Sequence, residues 1–157
     1  RRRRGLSACR DLPERLSIDS SVLLAYMLGE DLADLIEECI LFSRREVYVA
    51  RIVLAETYYV VCRLSGRDVA RDLLVSLRES GVMEVVGDDS LDVRAGDIKC
   101  TRSISIADCY VIALAELVRG TAVFAKRERE LKQELEREPF GVDIVFLDDY
   151  LKRQPHG

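Results

Sequence analysis

Short apolar runs alternate along this chain with longer segments whose apolar residues recur every three or four positions. Residues 16–18 read as a first strand. Ser20 or Ser21 then caps a helix that runs through Leu28 and closes at Gly29. Leu32, Leu35, Ile36, Cys39 and Ile40 keep helical spacing, and residues 47–49 form a second strand. Residues 51–64 predict a helix that is apolar almost all round and therefore central. Ser65 and Asp68 have the spacing of a capping box for the next helix, with Val69, Leu73 and Leu77 on its inner face. A third strand is expected at 82–86, a weaker helix at 89–99, and a helix from Ser105 to about Arg119 that Gly120 ends. A strand at 122–124, a charged helix at 126–137 and a short strand at 143–146 complete the pattern.

Strands this short and apolar, each followed by a helix, imply a three-layer α/β/α fold around a central, mainly parallel sheet of four to five strands. In such sheets ligands bind beyond the carboxyl ends of the strands. The expected organisation is a flexible basic arm over 1–14, one domain over 15–151 and a tail over 152–157.

Three carboxylates interrupt the apolar segments. Asp19 ends the first strand, Glu56 sits in the first turns after the second, and Asp108 lies in the opening turn of the helix from Ser105. A charge inside a buried segment is costly unless something pairs with it. No cations are equally placed nearby, so the trio points to a site that a divalent cation neutralises. Each acid also has a plainer role open to it. Asp19 can cap the first helix, Asp108 can answer Ser105 in a capping box, and Glu56 can pair with Arg51 or Arg63.

Composition narrows the picture. The chain has 157 residues, 48% of them hydrophobic, which is enough for a core and argues against disorder. Its net charge of −4 excludes a bulk nucleic-acid binder, so any nucleic-acid contact must come from a local patch. No run has the pattern of a signal peptide or the length to span a bilayer, and a cytoplasmic location is expected. Much Arg and Glu with one His and no Trp suits a hot environment. Five cysteines without a CxxC pair argue against zinc, and their odd number argues against a disulfide framework. Most read as small core residues, although a hyperthermophilic source would permit an intracellular disulfide.

Ile18-Asp19-Ser20-Ser21, Leu54-Ala55-Glu56 and Ser105-Ile106-Ala107-Asp108 occur in an order and spacing that resemble the PIN domain family. The likeness runs from Leu16 to Leu147. It implies a metal-dependent ribonuclease and, for a small single-domain prokaryotic member, a VapC-like toxin. Such toxins are homodimers held inactive by an antitoxin protein. The family's fourth acid falls just after the fourth strand, where this chain has Lys126. Glu128, or Glu130 beyond it, would have to supply that carboxylate.

On this reading Asp19 and Asp108 bind Mg²⁺ or Mn²⁺ directly, and Glu56 acts through water or orients the nucleophile. Ser21 and Ser105 hydrogen-bond behind the ligand carboxylates. Lys99, Arg102 and Lys126 are candidates for RNA phosphate contacts, with an ordinary solvated face as the alternative. His156 lies in the tail, which disfavours histidine base chemistry.

Overall fold

The computed structural model describes residues 9–152. Five strands form one sheet in which every pairing is parallel: β1 (Arg15–Ile18), β2 (Glu46–Ala50), β3 (Glu84–Val86), β4 (Thr121–Phe124) and β5 (Ile144–Phe146). The spatial order is β3-β2-β1-β4-β5. Helices flank the sheet in three layers. They are α1 (Ser20–Met27), α2 (Ala33–Ile36, continued by a π turn over Glu37–Leu41), α3 (Arg51–Ser65), α4 (Arg67–Glu79), α5 (Asp89–Thr101), α6 (Ile106–Val118), α7 (Arg129–Arg137) and α8 (Leu147–Lys152).

The core follows from the apolar runs. Leu16, Ile18, Val49, Val123 and Phe124 are all but fully buried, as parallel strands covered on both faces require. Helix α6 packs on β1, β2 and β4, and α5 packs on α6. A buried hydroxyl also ties sheet to helix: Ser17 Oγ donates to the Val111 carbonyl at 2.7 Å. Gly120 marks where β4 passes close to β1, since a Cβ there would lie 2.6 Å from the Arg15 carbonyl oxygen. Arg119, not Gly120, takes the left-handed conformation that ends α6.

Several expectations are corrected. Ser65 is the last residue of α3, and Gly66, with φ +90°, precedes α4 without a side-chain cap, so the Ser65/Asp68 capping box does not form. Ala70 and Leu77 face inward from α4, while Val69 is exposed. Helix α3 is one-sided, burying Val53, Leu54, Thr57 and Val61 and leaving Tyr59 and Leu64 exposed. Strand β3 starts at Glu84, because only Glu84–Val86 has partners in β2. Helix α7 starts at Arg129, three residues later than expected, and α8 was not anticipated.

Within the arm expected over 1–14, the described residues 9–14 are anchored to the domain. Residues 1–8 lie outside the described residues, as does most of the expected tail, including His156. From residue 9 onward the chain is held. A disulfide joins Cys9 to Cys39, Leu12 is buried, and the Arg45 guanidinium donates to the carbonyls of Cys9, Leu12, Pro13 and Cys39.

Candidate active site

The strand order reverses between β1 and β4, and the crevice at such a switch point is where open α/β sheets bind ligands. Asp19 stands at that crevice. Its amide donates to the Val123 carbonyl at 2.9 Å, which fixes it against the end of β4. Its carboxylate has two distinct oxygens. Oδ2 accepts the Ser21 N–H at 3.1 Å and caps α1, whereas Oδ1 is buried and has no hydrogen-bond partner. The capping role and a buried oxygen without a hydrogen-bond partner therefore coexist in one side chain. Ser21 Oγ accepts the Ala125 N–H at 3.0 Å, closing the crevice floor between α1 and the end of β4.

Glu56 approaches from α3. Its carboxylate accepts the Ser20 hydroxyl, and neither candidate arginine pairs with it. Arg63 lies over the Tyr59 ring at 4.9 Å, and Arg51 lies over the Gly87 backbone. Asp108 is buried in the first turn of α6, where its own N–H donates to Ser105 Oγ at 3.1 Å. Thus Ser105 caps the helix through the Asp108 backbone, and its hydroxyl also hydrogen-bonds the Asp108 carboxyl, which partly offsets the upward push on that acid.

These acids lie close enough to act on one another electrostatically. Burial raises the Asp108 pKa to about 7, and the charges of Asp19, Glu128 and Glu56 push it the same way. Glu128 is also raised, by burial and then by Asp19, Glu56 and Glu130. Glu128 lies in extended backbone just before α7, not on a helical turn, and this places it within the field of the trio.

The three cations divide. Lys126 is exposed at the end of β4. Arg102 is not available for phosphate. Its guanidinium donates to the carbonyls of Glu138 and Pro139 at 2.7 Å each, stacks 4.0 Å from the Phe140 ring and pairs with the buried Glu134. Lys99 donates to the Ile104 carbonyl at 2.6 Å, holding the turn between α5 and α6. Two further residues at this edge escaped the sequence reading. Ser20 is a buried donor to Glu56; it was legible only as a helix-start serine. Asp148 opens α8 after β5, its N–H on the Ala125 carbonyl at 3.0 Å and its Oδ1 buried without a partner.

A model of the PIN domain matches residues 16–138. The chain belongs to the PIN domain family. No curated protein matches it. Solved structures share the fold at low sequence identity and are matched over nearly their own full length. The Mycobacterium tuberculosis VapC20 toxin, described as cleaving the sarcin–ricin loop, is 18% identical, with a TM-score of 0.60, over 76% of this chain and 93% of its own. The VapBC2 complex of Rickettsia felis, bound to a DNA fragment from its promoter, is 15% identical, with a TM-score of 0.61, over 84% and 97%. FitAcB from Neisseria gonorrhoeae is 18% identical, with a TM-score of 0.56, over 83% and 96%.

For this PIN domain the donor chemistry fits a hard divalent cation. Among the described residues, no three acidic, thiol or imidazole side chains come close enough to hold an ion by themselves. Mg²⁺ does not require that, because it binds through one or two carboxylates and keeps several waters. The partnerless Asp19 oxygen, and the burial and carboxylate repulsion that together raise Asp108, are the features a cation would relieve.

Proposed function

We propose that this PIN domain is an endoribonuclease dependent on Mg²⁺ or Mn²⁺, and the toxin of a toxin–antitoxin pair. The observation that carries this reading is the buried, partnerless Oδ1 of Asp19 at the switch point, in the shared field of Glu56, Asp108 and Glu128. Asp19 and Asp108 would hold the ion, with Glu56 reaching it through water. When bound, the ion supplies charge stabilisation for the in-line transition state and acidifies water. Ser20 fixes one oxygen of Glu56, so the carboxylate presents its other oxygen to water. Glu128, exposed and raised in pKa, is suited to take the proton as the water oxygen bonds to phosphorus and the opposite P–O bond breaks. Lys126 beside it offers a charge to the RNA backbone.

The antitoxin reading rests on the neighbours, which include VapBC complexes, and on exposed apolar side chains of α3 and α4. Tyr59, Leu64, Val69 and Val75 are each more than two-fifths exposed, a surface suited to a protein partner or a second copy of the chain. Among the described residues no helix is long and apolar enough to cross a membrane.

A second reading is favoured by one observation, the cation at position 126 where the family carries an acid. On it the chain is a PIN-like module that binds RNA or protein without cutting. A PIN nuclease of RNA processing is the alternative within the enzyme class. The deciding experiment is cleavage of a fluorescent single-stranded RNA pool with Mn²⁺, with Mg²⁺ and with EDTA, beside Asp108→Asn. Metal-dependent cutting that the variant loses supports the nuclease. Binding without cutting, in folded protein free of antitoxin, supports the module.

A further inference from the structure

Beyond the ends of β2 and β3, on the same edge of the sheet as the acids, lies a cavity of about 300 Å³. Arg51 at the start of α3, Val86 and Gly87 at the end of β3, Asp88 and Asp92 at the start of α5, and Tyr110 of α6 line it. The metal site uses none of these residues. Two walls nonetheless belong to the helices that carry it: Arg51 precedes Glu56 on α3, and Tyr110 follows Asp108 on α6. The volume stands at the small end of ligand sites, with room for about one nucleobase.

Arg51 is exposed and, among the described residues, has no hydrogen bond or ion pair, although three aspartates line the same cavity. Gly87 makes its position possible. A Cβ there would lie 2.8 Å from Arg51 Nε, so a side chain at this position would displace the arginine from where it lies across the strand end. The opposite wall is acidic and fixed. Asp88 Oδ1 accepts the Leu91 N–H at 2.8 Å, and Asp92 Oδ1 accepts the Tyr110 hydroxyl at 2.7 Å. Each of these carboxylates keeps a second oxygen. A free phosphate would meet repulsion from that wall. A nucleotide has both the anion for the guanidinium and amine donors for the carboxylates.

We propose that this cavity is a nucleotide subsite for the RNA substrate. Arg51 takes a phosphate flanking the scissile bond, and the Asp88–Asp92 wall takes an amine-bearing base in preference to uracil. The inference rests on the ribonuclease reading and adds substrate selectivity to it.

The test compares wild type with Arg51→Ala, Arg51→Lys and Asp92→Asn, each checked by thermal melting. Binding of labelled oligo-A, oligo-C and oligo-U is read by anisotropy in EDTA at two salt concentrations, and cleavage of the same strands is read in Mn²⁺. Wild type should favour oligo-A and oligo-C. Arg51→Ala should weaken binding of all three about tenfold, lower the salt slope by about one and raise KM with kcat little changed. Arg51→Lys should restore the slope and only part of the affinity. Asp92→Asn should erase the base preference. If wild type cuts RNA while Arg51→Ala matches it in KM and salt slope, the subsite is wrong and the nuclease stands. Equal wild-type affinity for all three strands would overturn the base wall. If wild type neither binds nor cuts RNA, the subsite falls together with the nuclease.

Discussion

The Ser20 hydroxyl donates to the Glu56 carboxylate, joining the start of α1 to the second turn of α3 across the crevice. This bond gives the central acid one fixed orientation. Ser20→Ala should lower kcat by about tenfold by freeing Glu56, with a stability loss of about 1 kcal/mol. Metal-dependent RNA cleavage beside a thermal melt checks it. Unchanged kcat would show that the orientation of Glu56 does not limit turnover.

The acid cluster makes metal-free stability depend on pH in a direction opposite to that of an ion-paired carboxylate. In the folded chain Asp108 keeps its proton to about pH 7, whereas in the unfolded chain it releases it near 3.8. Between those values the folded state binds more protons, so stability falls as pH rises through the window and levels off above it. The total effect is on the order of 4 kcal/mol at most. Glu128, also raised, acts in the same sense. In EDTA the melting temperature should therefore drop between about pH 4 and about pH 7, and Mn²⁺ should reverse the drop. Asp108→Asn should flatten the EDTA profile while abolishing cleavage, because an amide has no charge to desolvate. A flat wild-type profile would mean that Asp108 ionises freely.

Glu128 is the candidate for the carboxylate that Lys126 displaces. Glu128→Gln should reduce cleavage at least about tenfold, as loss of a proton acceptor does. The pH at which Mn²⁺ binding sets in should also move down, since one of the charges raising Asp108 is gone. Full activity in the variant would remove Glu128 from the site and leave three acids to do the chemistry.

Arg102 separates a structural cation from a nucleic-acid contact. Arg102→Ala removes two carbonyl bonds, the stacking on Phe140 and a partner of buried Glu134. It should cost about 2–3 kcal/mol of stability and leave the salt dependence of RNA binding unchanged. A reduced salt slope with an unchanged melt would reinstate it as a phosphate ligand.

The Cys9–Cys39 bond closes a loop of 30 residues, for which chain entropy predicts stabilisation on the order of 3–4 kcal/mol. Cys39→Ser should lower the melting temperature and leave cleavage intact at temperatures where the variant is folded. Equal melts with and without reductant would show the bond to be energetically idle.

These cases show what a sequence carries and what it does not. Asp19, Glu56 and Asp108 were legible because strand periodicity and helix starts place them, within a few residues, at one edge of a parallel sheet. The function of Ser20 was not, because its partner lies 36 residues away and nothing local distinguishes it from a capping serine. The same holds for Arg102, whose acceptors lie 36 and 37 residues on. Ser65 and Asp68 failed for the opposite reason. The local motif was present, but α3 runs through Ser65 and the chain turns at Gly66 instead. The disulfide was hidden because an odd cysteine count says nothing about which pair the fold brings together; here it leaves Cys62, Cys100 and Cys109 free.

The outermost strands, β3 and β5, have three residues each. A rim so short presents few open backbone donors and acceptors, too few to template an added strand from another chain. The sheet is thereby protected from edge-to-edge stacking, and any assembly of this chain with itself or with a partner is directed to its helical faces.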